Sequence, residues 1–217
     1  MDIKFVYRLK FSKTGNLRFI GHLDLLKVFQ ATIRRSMLPV AYSQGFNPHL
    51  HLSFALPVPL GMESVHDYAD MTLTEASDHV VDALNAMVPD GLWIHSAKLI
   101  TSKAAAALVQ AADYQLSVGS LFATDDVKTK ISRILAQKEC FIMKKTKSGI
   151  KNTDIRPDIY DVQYDNGTIW MRLAAGSGRF LNPMIAAELI LGQKPSVSDI
   201  KRLELYQCTE NNQFVPL

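Results

Sequence analysis

Ile3-Lys4-Phe5-Val6-Tyr7-Arg8-Leu9-Lys10-Phe11 sets Phe5, Tyr7, Leu9 and Phe11 on one side of an extended chain and Lys4, Val6, Arg8 and Lys10 on the other. Side chains alternate across a strand, so a period of two with one apolar side predicts a half-buried strand. The pattern then changes. Lys13-Thr14-Gly15-Asn16 reads as a turn, and His22–Met37 carries Leu26, Phe29, Ile33 and Met37 at helical spacing until Pro39 stops it. His49–Ala55 and His66–Leu73 return to alternation, Ser77–Met87 reads as a helix capped by Ser77, and Leu92–Leu99 as a strand.

Past the alanine-rich stretch Lys103–Ala112, read as a linker or a helical turn, the order roughly repeats. Tyr114–Val118 predicts a strand, Asp125–Gln137 a helix, and Cys140–Met143 a strand that runs into the basic segment Lys144–Lys151. Ile159–Tyr164 and Thr168–Leu173 flank Asp165-Asn166-Gly167, a hairpin signal. Pro183–Leu191 reads as a helix stopped by Gly192, and Ile200–Cys208 as a last strand. The first half therefore runs βαββαβ, the split ferredoxin-like order, and the second is an approximate copy of it. The expectation is an α+β protein of two tandem ferredoxin-like domains, residues 1–102 and 112–217.

Composition sets outer bounds. The chain has 217 residues, 47% hydrophobic and 21% charged, enough for two domains of about 100 residues each. No apolar run reaches the roughly 18 residues of a transmembrane helix, and the charged N-terminus lacks an apolar signal core. A cytoplasmic protein with no membrane association is expected. An iron–sulfur cluster needs three or four closely spaced thiolates, and the two cysteines, Cys140 and Cys208, stand far apart. No cofactor is expected. The net charge of +3 is mild, but Lys144, Lys145, Lys147 and Lys151 crowd one segment, read as a solvated loop or as an arm that grips phosphates.

If the apolar side of each strand faces the helices, the other side forms an open sheet face. That face gathers Lys4, Arg8, Lys10, His49, His51, His66, Tyr68, Asp70, Trp93 and His95. Three readings follow. The face is an interface between the halves, with Arg8 paired to Asp70. Alternatively it is a nucleic-acid surface, on which Lys4, Arg8, Lys10, His49 and His51 meet phosphates, Tyr68 stacks a base, and Lys144, Lys145, Lys147 and Lys151 approach from the second domain. In the third reading His49, His51 and His66 hold a divalent metal. Lys27, Gln30 and Arg34 read as a solvated helix face, and Gly176-Ser177-Gly178 lacks any surrounding phosphate-loop pattern. No nucleophile motif is present. Proton transfer needs only a well-placed side chain, which makes His22, Tyr42 and His49 the catalytic candidates.

One stretch is distinctive: Gly21-His22-Leu23-Asp24-Leu25, then Arg34-Arg35, then Ala41-Tyr42-Ser43-Gln44-Gly45-Phe46-Asn47-Pro48-His49, Leu52-Ser53-Phe54-Ala55 and Pro57-Val58-Pro59-Leu60-Gly61. With these residues the chain resembles the radical-SAM-associated (radical-SAM-linked) family of uncharacterised bacterial proteins. Asp154-Ile155-Arg156-Pro157 extends the likeness into the second half. The resemblance implies a radical SAM protein as partner and assigns no activity to individual residues. Members commonly carry a basic residue where His51 stands, which favours a cationic surface there over a metal ligand. The tandem parse is also similar, at the level of fold, to the RNA-processing proteins of CRISPR systems. The leading expectation is a non-catalytic RNA-binding accessory protein working with a radical SAM enzyme in RNA or ribosome-related modification. The alternatives are a metal-independent endoribonuclease of the CRISPR-RNA-processing type and a protein-only adaptor for the radical SAM partner.

Overall fold

The opening alternation forms strand β1 (Phe5–Lys13), whose Tyr7, Leu9 and Phe11 are buried. A computed structural model describes residues 4–101, 103–119, 124–146 and 149–217. Around β1 the first half adds α1 (His22–Arg35), β2 (Leu52–Phe54), β3 (Glu63–Leu73), α2 (Val80–Asn85) and β4 (Leu92–Ile100). A short helix, α3 (Ala105–Leu108), leads into the second half. There follow β5 (Ala111–Ser117), α4 (Thr124–Ala136), β6 (Phe141–Thr146), β7 (Gly149–Asp154), β8 (Ile159–Asp165), β9 (Thr168–Ala174), α5 (Pro183–Leu191), β10 (Ile200–Cys208) and β11 (Phe214–Pro216). The protein is α+β, with one large, mostly antiparallel sheet and few helices.

That sheet has nine strands in the order β4-β1-β3-β10-β5-β9-β8, with β2 also on β3 and β11 also on β10. Within each half the neighbours run antiparallel. The halves meet where β10 runs parallel to the start of β3, Lys201 beside Glu63 and Arg202 beside Ser64. One edge of β3 is thus shared, its later part with β2 and its first residues with β10.

Two apolar clusters cover the sheet. In the first, Leu25, Phe29 and Ile33 of α1 and Val80 and Leu84 of α2 pack on Tyr7, Leu9, Phe11, Ala69, Met71, Leu92 and Ile94. The second packs Val127, Ile131 and Ile134 of α4 and Ala186, Ala187 and Ile190 of α5 on Leu116, Ile169, Met171, Leu173 and Leu205. Ala55, Val58, Met62 and Tyr68 of the first half join this second cluster, so the two halves share apolar packing.

Three elements differ from the sequence reading. Ser77 does not cap α2, because its backbone N–H and C=O both bond the Tyr7 hydroxyl at 2.9 Å, and the helix starts after His79. The strand expected over His49–Ala55 pairs with β3 only over Leu52–Phe54. Before that the chain turns back on itself, with Tyr42 bridged to Leu50. The basic segment read as a loop is a hairpin, β6 against β7, with Lys144 opposite Lys151. Lys147 lies outside the described residues.

Candidate functional site

The sheet face opposite α1 and α2 carries the residues expected on an open surface, and much of it is occupied, in part by α3. Arg8 is 6% exposed. Its Nε and Nη2 donate to the two oxygens of Asp70 at 2.9 and 3.1 Å, and Nη2 also donates to the Lys103 carbonyl at 2.8 Å. The Ala105 N–H donates to Asp70 at 2.7 Å. This is a buried clamp: the chain leaving β4 crosses over β1 and β3 on its way to β5, and Arg8 and Asp70 hold it down. Arg8 pairs with Asp70 as the interface reading expects and is withdrawn from phosphate contact.

Tyr68 is corrected in the same way. Its ring is 3% exposed, so it offers no surface for a base to stack on. Its hydroxyl donates to Glu204 Oε1 at 2.7 Å, and burial followed by that carboxylate raises its pKa. Glu204 also receives Lys10 at 2.7 Å and faces His66 Nδ1 at 3.2 Å. His66 in turn meets His95 edge to face at 5.2 Å. Burial and the Lys10 charge depress the His66 pKa against the pull of Glu204. A strand rises about 3.3 Å per residue. His66 therefore stands some 15–20 Å along β3 from Met71 and Thr72, beside which Leu52 and His51 lie. The proposed histidine metal set is not assembled. Among the described residues no group of three or more His, Cys, Asp or Glu is placed to hold a metal ion.

The other candidates do converge. Two adjoining hollows form one cleft beside the loop 40–53, sharing Ser43. The larger, about 1180 Å³, is lined by Lys4, Phe5, Tyr42, Gln44, Pro48 and Glu75 among others. The smaller, about 450 Å³, is lined by His49, His51, Ser53, Thr72 and Ala104, with Asp70 reaching it. Ser43 holds the loop closed: its N–H donates to the His49 carbonyl at 2.8 Å, and its hydroxyl accepts the His49 N–H at 2.9 Å. Tyr42 is 44% exposed, and Phe46, between Gln44 and Pro48, is fully exposed. Gly45 at φ +121° makes the turn that a side chain would strain. The cleft therefore combines one lysine, the exposed carboxylate of Glu75, two imidazoles, hydroxyls and the Tyr42 ring, with Phe46 on the adjoining loop. Its one buried acid, Asp70, is already neutralised by Arg8.

His22 lies outside this cleft as the first residue of α1, its ring in a T-shaped contact with Phe54 at 5.4 Å. Lys151 is exposed on β7. The hairpin carrying it is rooted by Asp154, which accepts the N–H groups of Cys140 and Arg156 at 2.7 and 3.0 Å. These bonds hold the Asp154 carboxyl below its ordinary range. Arg156 then caps the carbonyls of Leu135, Gln137 and Ile159 at 2.8–3.2 Å. Asp154-Ile155-Arg156-Pro157 is thus the base of this arm. Cys140 and Cys208 are free thiols, and burial pushes the Cys140 thiol up.

Sequence reasoning missed Glu204 and Ser43. Glu204 acts across the β3–β10 junction, for which no local signal exists. Ser43 stood inside the quoted motif, and a hydroxyl before a Gly-x-Asn-Pro turn was signal enough for a loop-closing role.

The sequence matches a family described as an uncharacterised protein conserved in bacteria, DUF2344, over residues 6–183. The chain belongs to that family. The matched span of DUF2344 includes the whole of the cleft loop, the Arg8–Asp70 clamp and the hairpin. No curated protein matches this DUF2344 chain. No described helix is long and apolar enough to cross a membrane.

Proposed function

We propose that this DUF2344 protein is a non-catalytic RNA-binding accessory protein that presents RNA, or a ribosome-related substrate, to a radical SAM enzyme in the cytoplasm. The observation that carries the reading is the convergence of Lys4, Tyr42, His49 and His51 on one cleft, with Phe46 on its loop. Cations offset phosphate charge, and aromatic faces stack unpaired bases. The basic hairpin, with Lys144, Lys145, Lys147 and Lys151 in the sequence, supplies a second phosphate contact. The resemblance of Gly21–Gly61 to radical-SAM-linked proteins supports the partner.

The same reading takes each half as a ferredoxin-like domain, residues 1–102 and 112–217. The strand orders β4-β1-β3-β2 and β10-β5-β9-β8 support it, each being the fourth, first, third and second strand of its half once the separate β6–β7 hairpin and β11 are set aside. A second function reading draws on one further observation: Tyr42 and His49 line adjoining parts of one cleft, where they could move protons in a metal-independent endoribonuclease.

Incubation of the purified protein with total RNA separates the readings. Salt-sensitive retention of intact RNA is expected. Cleavage that persists in EDTA and is lost on His49→Ala favours the nuclease. Neither retention nor cleavage leaves a protein-only adaptor for the radical SAM partner.

A further inference from the structure

A separate polar hollow lies on the helix-free face of the second half. It holds about 350 Å³, lined by Asp113, Asp161, Gln163, Trp170 and Arg172 among others. Trp170 is 41% exposed there. It stands on β9 directly opposite Gln115 of β5 and Gln163 of β8. An indole fixed on a sheet and flanked by amides is a flat, accessible stacking surface.

The charges beside it are mostly committed. Asp113 takes Arg172 through both oxygens at 2.7 Å and accepts the Tyr206 hydroxyl at 2.8 Å. The Arg172 guanidinium also lies over the Tyr206 ring at 4.4 Å. Burial and the bond to Asp113 push the Tyr206 hydroxyl up to about 12, so it stays a donor. Asp161 is different. It is exposed, and it accepts from a neutral amide, Gln163 Nε2, at 2.7 Å on Oδ2. That bond holds the carboxylate in place and uses one lone pair of Oδ2, which leaves Oδ1 and the second lone pair of Oδ2 for a ligand. An ionised carboxylate only accepts, and its two oxygens together can take two parallel donors.

A ring stacked on Trp170 must therefore offer adjacent donors along its edge. Among the RNA bases guanine does so, with N1–H beside the exocyclic N2 amino group. Adenine, cytosine and uracil each set an acceptor next to their donor. A guanidinium ligand also offers paired donors, and because Arg172 is held by Asp113 the hollow does not exclude it on charge, so it enters the test as the competing ligand.

We infer that this hollow is a guanine-binding subsite, in which Trp170 stacks the base and the Asp161 carboxylate accepts from N1–H and the N2 amino group. The subsite rests on the RNA reading and names the base that reading leaves open.

The test uses the full chain with Trp93→Phe, which removes the other of the two tryptophans, so that fluorescence reports Trp170. GMP, AMP, CMP and UMP are titrated as quenchers, with L-argininamide as the cationic control. GMP is expected to act at concentrations about tenfold lower than the other three, and Asp161→Asn to erase that preference with an unchanged dichroism spectrum. Equal quenching by the four nucleotides, stronger quenching by argininamide, or a preference unaltered by Asp161→Asn overturns the subsite. Retention of a guanine-free RNA is measured alongside. Retention without guanine preference overturns the subsite and spares the RNA reading. Guanine preference without retention of any RNA supports the subsite and overturns the RNA reading.

Discussion

Asp67→Ala should be among the most damaging single changes outside the apolar core. Asp67 and Arg202 are each 1% exposed. Arg202 Nη2 donates to Asp67 at 2.5 Å and to the Leu56 carbonyl at 2.9 Å, while Nη1 reaches the Pro57 carbonyl at 3.2 Å. Arg202 belongs to β10 and Asp67 to β3, so the pair sits at the parallel seam that joins the halves. Lys13 is nearby and 1% exposed, its Nζ donating to the Ile20 carbonyl at 2.9 Å. Burial pushes the Asp67 carboxyl up, against the pull of Arg202 and Lys13. Removing the acid leaves a buried guanidinium with two carbonyls and no counter-charge, a loss of about 3–5 kcal/mol. For a chain of this size each kcal/mol moves Tm by about 2–4 °C, so a fall of roughly 6–20 °C is expected. Asp78→Ala, at a fully exposed carboxylate, is the control and should leave Tm essentially unchanged. Asp67→Leu combined with Arg202→Met should recover much of the loss, because it removes both charges from the interior. The alkaline limb carries a further signature. Burial lowers the Lys13 pKa and Asp67 opposes that. Folded Lys13 sheds its proton earlier than the unfolded chain does, and earlier still without Asp67, so the deficit of Asp67→Ala should shrink as pH rises toward the ordinary lysine value of about 10.4. A loss below about 1 kcal/mol, unchanged by alkali, would show that water reaches the seam and would refute this reasoning.

Further outcomes are expected elsewhere. Because the folded His66 pKa is depressed, its contribution is complete above the unfolded value near 6.5 and declines as pH falls through it; the parent's Tm should drop more than that of His66→Gln between pH 7.5 and 5.5. Arg8→Ala should lower Tm markedly and leave RNA retention within twofold once folded, and Arg8→Lys should not restore it, since lysine cannot span both Asp70 oxygens. Replacing Lys144, Lys145 and Lys147 together should flatten the salt dependence of RNA binding by up to about 2 units, at about 0.7 per lost single-strand phosphate contact. Equal slopes for variant and parent would remove the hairpin from the interface.

Local signals carried much of the fold. Pro183 at the first turn and Gly192 in the left-handed conformation at φ +75° bound α5 as read. Asp165-Asn166-Gly167 turns β8 into β9, with Asn166 at φ +45°. The face assignment of β1 also follows from alternation: Tyr7 and Leu9 pack with the helices while Arg8 and Lys10 point away. What escaped the reading acts over distance. Nothing local in Lys201–Arg202 announces a parallel contact with Glu63–Ser64, and without that contact Glu204 has no visible tie to Lys10, Tyr68 or His66. Alternation told which side His49 and His51 share but not the antiparallel register that sets Leu52 beside Met71, and it is this register that separates them from His66. The cleft was legible only as a motif, because Lys4 and Tyr42 meet through the bridge of Val40 to Leu73.

The central claim, that this cleft binds single-stranded RNA, is tested most directly by titrating one labelled RNA across 50–200 mM salt against the parent, Lys4→Ala, Tyr42→Ala and the pair His49→Ala with His51→Ala. The account predicts a log–log slope about 0.7 shallower for Lys4→Ala, and a loss of about 1–3 kcal/mol with an unchanged slope for Tyr42→Ala. The histidine pair should weaken binding at every salt concentration. Variants that fold normally and bind with the parent's affinity and slope would contradict it.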